Sequence, residues 1–140
     1  MNEIQSRQGK YRCSVEGFTL VELMVVVAIV AILTAIAYPS YTQHILKTRR
    51  TAAKACLSEY ANYMERYYTT NLTYVAAPDP GLDCQGAGQT GNYYDYTAGT
   101  LAVSTYTLTA TPKGAQSSDS CGALTLSQTG ARTPASGNCW

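Results

Sequence analysis

The sequence predicts an α+β chain in which one long N-terminal α-helix packs on a small antiparallel β-sheet. Three observations lead to this fold class. Most aliphatic residues fall in one run at 18–37, an amphipathic helical pattern continues to residue 68, and alternating strand-like segments follow. With 140 residues the chain has room for a single core. We therefore expect a helix over 18–68 and a head over 69–140.

The first half of the predicted helix is a membrane-spanning candidate. It reads FTLVELMVVVAIVAILTAIA and contains one charged residue, Glu22. Twenty residues at about 1.5 Å each cover a hydrocarbon core of roughly 30 Å. A secretory signal would have a shorter apolar run, about 7 to 15 residues, followed by a small-residue cleavage site. The sequence therefore favours a retained span over a removed signal peptide.

Beyond Pro39 the helix becomes amphipathic. Apolar residues recur there at helical spacing, which places them on one face. They are Leu46, Ala53, Leu57, Tyr60, Met64 and Tyr67. Pro39 lacks a backbone donor and crowds the preceding turn, so we expect a kink or a looser segment at this position.

The pattern after residue 68 predicts three half-buried strands over 92–98, 104–111 and 123–128, separated by stretches rich in Gly and Pro.

The formal net charge of +1 gives no general attraction to nucleic acid. Cations flank the apolar run on both sides and leave its orientation open. Four cysteines lie beyond the run, and disulfides among them would place the head outside the cytoplasm.

Cysteine spacing indicates disulfides rather than a metal site. The chain has no Cys-x-x-Cys pair and only one histidine, His44, so zinc is not expected. Four cysteines allow three connectivities, and spacing does not choose among them.

The stretch 86–91 spells G-x-G-x-x-G but follows no clear strand and opens no helix. No nucleophile, base and orienting group stand in suggestive spacing, so neither an enzyme nor a cofactor is predicted.

Glu22 is the most informative single residue. A carboxylate within an apolar span costs roughly 2.5 kcal/mol or more unless it finds a partner. It is either an acid tolerated near the membrane surface or one half of a pair with a positive group. The second reading depends on what lies just upstream.

The stretch Gly17-Phe-Thr-Leu-Val-Glu22 before the apolar run, with Pro39-Ser-Tyr41 behind it, resembles the N-terminal signature of type IV pilins. The resemblance implies that a prepilin peptidase removes a leader, residues 1–17 with Cys13, and that the new N-terminal Phe18 becomes N-methylphenylalanine. It also implies that Glu22 pairs with the Phe18 amine of a neighbouring subunit and sets the axial register. The helix would loosen near Pro39 in the filament.

The head resembles PilE-type minor pilins over 106–112, over 121–130 and at Cys139-Trp140. In that family Cys121 and Cys139 close the C-terminal loop, which leaves Cys56 to pair with Cys84. The resemblance implies a pilin fold and a minor pilin that acts in type IV pilus assembly. Its expected partners are other pilins, the prepilin peptidase and the inner-membrane assembly machinery. We expect a single-pass inner-membrane protein with a periplasmic head that later enters the pilus, with twitching motility among the downstream roles.

Three alternatives share the N-terminal signature. A major pilin would differ only in abundance. A DNA-receptor pilin would need a basic, aromatic-lined stripe on its head, where the sequence beyond Tyr68 offers only Lys113 and Arg132, so nucleic acid is not an expected partner. A pseudopilin of a type II secretion system is disfavoured by the paired cysteines of the head.

Overall fold

The computed structural model describes residues 17–135 and 137–140. Most of the expected leader, with Cys13, lies outside this range. The helix α1 spans Leu20–Asn71, and four strands follow: β1 Tyr94–Ala98, β2 Thr107–Pro112, β3 Leu124–Ser127 and β4 Arg132–Thr133. Short 3-10 helices occupy Asp83–Gln85, Gly114–Ser118 and Gly137–Cys139. The predicted fold class is confirmed. The chain divides into two compact units, the first ending at Tyr38 and the second covering Pro39–Trp140.

In the first unit the apolar side chains are exposed throughout the described residues. Phe18 is 81% exposed and Ile36 is 70% exposed. Such a surface is costly in water, whereas a lipid bilayer or other apolar helices would cover it. By length and composition this part of α1 is able to cross a membrane.

Pro39 lies inside α1 and does not end it. Its ring nitrogen has no proton, so one bond of the helical ladder is lost there. The hydroxyl of Thr42 donates to the Pro39 carbonyl at 2.9 Å, one turn further along. The expected loosening of the helix near this residue stays a prediction.

The second unit, here called the head, has a single core between the helix and the sheet. Ala53, Leu57 and Met64 of the helix are at most 1% exposed, as are Leu108 and Leu124 of the sheet. These helix residues belong to the predicted apolar face, but Tyr67 at its end is only partly buried. Burial of this apolar surface is the main force that holds the helix on the sheet.

The sheet has the order β1-β2-β3-β4, and every neighbouring pair is antiparallel. Opposite Leu108 in β2 stands Leu126 of β3, and both side chains face the helix. The three predicted strands are present as β1, β2 and β3, and β4 is a fourth strand that was not predicted, in which Arg132 pairs with Leu126. Two residues in a stretch rich in Gly and Pro show no alternation, so the sequence pattern could not reveal this strand.

The G-x-G-x-x-G segment forms a closed loop before β1. The backbone amides of Gln89 and Gly91 both donate to the carbonyl of Gly86, at 3.0 and 3.1 Å. A Cβ atom on Gly91 would overlap the carbonyl oxygen of Gln85, so only glycine fits. The segment opens no helix, which agrees with its interpretation as a loop.

Candidate assembly site

The start of α1 carries the residues expected to act in processing and register. Gly17 and Phe18 precede the helix, and Glu22 lies in its first turn. The backbone N–H of Glu22 donates to the hydroxyl of Thr19 at 3.2 Å. Thr19 is therefore a helix cap, and the Thr-x-x-Glu spacing is that of a capping box. Thr19 was not predicted as a cap, although the Thr-x-x-Glu spacing is visible in the sequence.

The position of Glu22 has a second physical basis. The first turn of a helix carries a partial positive charge from its free N–H groups, and a carboxylate there is favoured by about 0.3 to 1 kcal/mol. That gain is smaller than the cost of a carboxylate in an apolar span. The helix end therefore favours Glu22 at this position, and its pairing with a further positive group stays a prediction.

Within the head, a buried ion pair joins the helix to the C-terminal region. Nη1 of Arg50 donates to Oδ1 of Asp119 at 2.6 Å, and the two side chains are 10% and 3% exposed. Asp119 also accepts a hydrogen bond from the backbone N–H of Cys121 at 3.1 Å. The pair thus fixes the first residue of the C-terminal disulfide against α1.

Gln116 extends this contact into a polar network. Its Nε2 group is within 2.9 to 3.1 Å of Asp119 Oδ2, the Tyr94 hydroxyl and the Leu46 carbonyl. Gln116 is fully buried. Burial raises the pKa of Tyr94 to about 12, and the nearby Asp119 carboxylate adds to the rise. The network lies between the helix, β1 and the segment before β3.

Two disulfides close the loops of the head. Cys56, buried on the helix, is bonded to Cys84 in the loop before β1, with Cα atoms 5.7 Å apart. Cys121 is bonded to Cys139 near the end of the chain, with Cα atoms 5.6 Å apart. These are the two pairs that the resemblance implied.

A second polar cluster lies at Glu65, outside the predicted apolar face. Its carboxylate accepts hydrogen bonds from the hydroxyls of Tyr74 at 3.1 Å and Tyr106 at 2.9 Å. Burial raises the pKa of Tyr74 to about 12, and the hydrogen bond to Glu65 contributes to the rise. The cluster anchors the loop after α1 to β2.

Cations of the helix and of β4 act on one another electrostatically. Burial lowers the pKa of Lys54, and the neighbouring charges of Arg50, Lys47 and Arg132 lower it further. The guanidinium of Arg132 lies 5.1 Å from the centre of the Trp140 ring, whose Nε1 donates to the Thr133 carbonyl at 2.7 Å. We call Lys47, Lys54, Arg132 and Trp140 the cationic cluster.

Comparison with known families decides the identity of the chain. The family model "Type IV minor pilin ComP, DNA uptake sequence receptor" matches residues 39–125, more than half of the chain. The model "Prokaryotic N-terminal methylation motif" matches residues 12–38. The chain belongs to the type IV pilin family. Pilins are structural subunits and not enzymes, in agreement with the sequence-based expectation.

Among individual proteins, this pilin is 32% identical over 94 residues to the type IV major pilin protein PilA of Myxococcus xanthus, covering 64% of our chain and 40% of that one. It is 31% identical over 98 residues to the fimbrial protein EcpC of Eikenella corrodens, covering 70% and 63%. The chain thus spans less than two thirds of the length of either relative.

Solved structures agree with the fold. A type IV pilin from Shewanella oneidensis superposes with a TM-score of 0.54 at 31% identity, covering 68% of our pilin and 97% of that chain. The non-core minor pilin PilV of Neisseria meningitidis gives a TM-score of 0.55 at 23% identity, covering 69% and 92%. The second likeness concerns the fold alone.

The buried ion pair of this pilin was missed in the sequence analysis. Arg50 follows Leu46 by four positions and precedes Ala53 by three, so it lies on the predicted apolar face. A charged residue on such a face signals a buried partner. The identity of that partner, Asp119, had no local signal, because 69 residues separate the two.

Proposed function

We propose that this chain is a minor pilin, a low-abundance structural subunit of the type IV pilus or of its initiation complex. The match of the minor-pilin family model to residues 39–125 carries this proposal, because that range covers most of the head. Major pilins also occur among the relatives, one of them at 32% identity, so abundance is the property that separates the two roles.

We propose that, before assembly, residues 18–37 anchor the chain in the inner membrane with the head in the periplasm. Exposure of the apolar side chains in this segment supports a lipid surrounding. Two disulfides in the head support an oxidising compartment. The inner-membrane assembly machinery would then take the subunit from the bilayer into the pilus.

Processing would create the positive group that Glu22 needs. Cleavage after Gly17 by a prepilin peptidase leaves an amine on Phe18, which is then methylated. Between subunits in an apolar helix bundle, this amine attracts the Glu22 carboxylate more strongly than it would in water. Such a pair would fix the axial register, as a buried polar contact does in coiled coils.

The experiment is an intact-mass measurement of the protein from sheared pili and from membranes of cells with and without the prepilin peptidase. We expect a chain that starts at methylated Phe18 with four oxidised cysteines, present in sheared pili in a small amount relative to the main subunit. An uncut chain in every fraction would overturn the proposal. A processed chain that forms most of the pilus would make it the major pilin.

The register role of Glu22 has its own test. Glu22→Gln removes the charge but keeps the size and the helical cap, whereas Glu22→Asp keeps the charge on a shorter side chain. We expect the first variant to be processed and then left in the membrane, with the second partly retained in pili. Equal incorporation of both variants would show that the charge has no such role.

A DNA-receptor role is the second candidate, and two observations favour it. The matched family model is described as a DNA uptake sequence receptor. The cationic cluster also draws its positive charge from both the helix and β4, and Arg132 lies beside the Trp140 ring. Cations beside an aromatic ring are the groups that contact phosphates and stack on bases.

A gel-shift measurement with duplex DNA at low salt tests this second role on the detergent-solubilised chain. Lys54→Glu together with Arg132→Glu should abolish a shift. Lys113→Glu is the matched control, because Lys113, which directly follows β2, pairs with Asp95 of β1, outside the cluster. A shift that all variants share, or no shift with the unchanged chain, would exclude the cluster as a DNA site.

A further inference from the structure

One of the two disulfides of the head lies against a positively charged side chain. Nη1 of Arg50 is 2.7 Å from Sγ of Cys121, and Nη2 is 3.5 Å from the carbonyl oxygen of Asn138, the residue before Cys139. The side chain of Arg50 is only 10% exposed. The guanidinium therefore contacts both disulfide-bonded ends of the C-terminal loop at a place that little water reaches.

The charges around this contact are mostly positive. Asp119 accepts a hydrogen bond from the same Nη1 atom at 2.6 Å and neutralises part of its charge. Burial lowers the pKa of Lys54, which lies one helical turn beyond Arg50, and the positive charges of three neighbours lower it further. These neighbours are Arg50, Lys47 and Arg132, whereas Asp119 acts in the opposite direction. The surroundings of the Arg50–Asp119 pair therefore carry an excess of positive charge.

A cation beside a disulfide sulfur has a chemical consequence. When a disulfide exchanges with an external thiol, the incoming thiolate bonds to one sulfur and the other sulfur leaves as a thiolate. Positive charge near a sulfur favours its thiolate form, which makes that sulfur the better leaving group. Because the guanidinium lies against Sγ of Cys121, Cys121 is the sulfur that should leave.

The other disulfide, Cys56–Cys84, lacks this support. Among the described residues, no hydrogen bond or ion pair brings a cation to either of its sulfurs. Cys56 is only 1% exposed, and Cys84 directly follows Asp83, whose carboxylate disfavours a second negative charge beside it. The two bonds of one head therefore differ in the charges that a leaving thiolate would meet.

We propose that the Cys121–Cys139 disulfide is a thiol-exchange site, at which an external thiolate attacks Cys139 and Cys121 leaves as a thiolate held by Arg50. In this step a bond forms between the external sulfur and Sγ of Cys139, and the bond between the two cysteine sulfurs breaks. The electron pair of the broken bond goes to Cys121. A second external thiolate then attacks the first external sulfur and releases Cys139. Two external thiols thus become one disulfide, and the head takes up their two electrons, while their two protons pass to water or to the released cysteines.

Exchange at this bond would act on one part of the head only. Its opening releases the loop that contains β3 and β4 from the covalent link between residues 121 and 139, whereas the Cys56–Cys84 bond still ties the loop before β1 to the helix. The C-terminal loop would therefore respond to the thiols of its compartment while the other link stays closed. This chemistry goes beyond the role in the pilus and is the same for a minor or a major pilin.

Mapping of the first mixed disulfide tests the proposal. The detergent-solubilised full-length chain is treated briefly with reduced glutathione at neutral pH and quenched with a maleimide, which marks the released thiol for peptide mass mapping. We expect glutathione on Cys139 and maleimide on Cys121, with at least about tenfold less of the opposite product. The Cys56–Cys84 bond should still be intact at that time.

Exposure alone predicts the opposite product, because Cys139 is 9% exposed and Cys121 is partly exposed. Glutathione mainly on Cys121, or in equal amounts on the two cysteines, would overturn the proposal. Faster opening of the Cys56–Cys84 bond would overturn it as well. The measurement needs no pilus fraction, so its outcome is independent of the assembly role.

Two variants separate the charge of the guanidinium from the stability of the head. Arg50→Met and Asp119→Asn break the same ion pair, so they destabilise the head by similar amounts, but only the first removes the cation. The preference for Cys139 should disappear in Arg50→Met and persist in Asp119→Asn. Arg49→Met is the control for a neighbouring cation, because the Arg49 guanidinium lies 3.8 Å from the centre of the Tyr93 ring. A preference that survives in Arg50→Met, or is lost in Asp119→Asn or Arg49→Met, would overturn the inference.

Discussion

The guanidinium of Arg50 lies 2.6 Å from the carboxylate of Asp119, and 69 residues separate the two along the chain. Arg50 belongs to the helix, whereas Asp119 lies two positions before the disulfide-bonded Cys121. The pair therefore joins the element expected to enter the filament core to the loop expected at the head surface. A perturbation of either partner should affect both.

Removal of one partner of this pair should destabilise the head strongly. Arg50→Met leaves Asp119 buried without its cation, and Asp119→Asn leaves the guanidinium without its carboxylate. Each should lower the free energy of unfolding by about 3 to 5 kcal/mol. Urea unfolding of the detergent-solubilised chain measures this loss.

The double variant tests whether Arg50 and Asp119 interact with each other. Arg50→Met with Asp119→Asn should be more stable than the sum of the two single losses predicts, because no unpaired charge remains. If the losses in free energy of unfolding of the two single variants add up to that of the double variant, the two groups do not interact in solution.

Loss of the Cys56–Cys84 disulfide should cost about 3 to 4 kcal/mol, since it closes a loop with a sequence separation of 28. The Cys56→Ser/Cys84→Ser chain should melt earlier than the unchanged chain under oxidising conditions. The Cys121–Cys139 bond, with a separation of 18, should contribute slightly less. Reduction of the unchanged chain provides the control, and equal melting before and after reduction would contradict this prediction.

Gly91→Ala should destabilise the loop before β1, because the added methyl group would overlap the backbone of Gln85. We expect a loss of roughly 1 to 3 kcal/mol, the usual cost of overpacking. Gly88→Ala is the matched control in the same loop, since a Cβ atom there meets nothing within 4 Å. Thermal melts of the two variants should differ clearly. Similar melting temperatures would show that the loop shifts freely.

Stability should fall above pH 10 as buried tyrosines ionise. Burial raises the pKa of Tyr60, Tyr74 and Tyr94 to about 12, whereas an unfolded tyrosine titrates near 10. The unfolded chain thus loses these protons first, so the stabilisation is complete below about pH 10 and disappears as the pH rises towards 12.

Melting temperatures across this range, with phenolate absorbance as the second signal, check the pH prediction. Tyr74→Phe should reduce the alkaline loss, because one shifted group is gone. A melting temperature that stays constant to pH 12 would contradict it.

Sequence periodicity was sufficient to predict the helix, because 3.6-residue spacing over many turns is a strong signal. It placed Leu57 and Met64 correctly in the core. The position of β4 depends on pairing with β3, and a strand of two residues has no pattern of its own. Similarly, Asp119 and Tyr106, which contact Arg50 and Glu65, come from distant parts of the chain, so composition near Arg50 and Glu65 could not identify them.

The Cys56–Cys84 bond has a mechanical consequence for a subunit under load. A pull transmitted along the chain passes from the helix directly through the disulfide to Cys84 in the loop before β1. The intervening segment, with a sequence separation of 28, would span roughly 95 Å if stretched out at about 3.4 Å per residue. The disulfide prevents this segment from extending under load. Tension on the head is therefore borne by covalent bonds and by the strands.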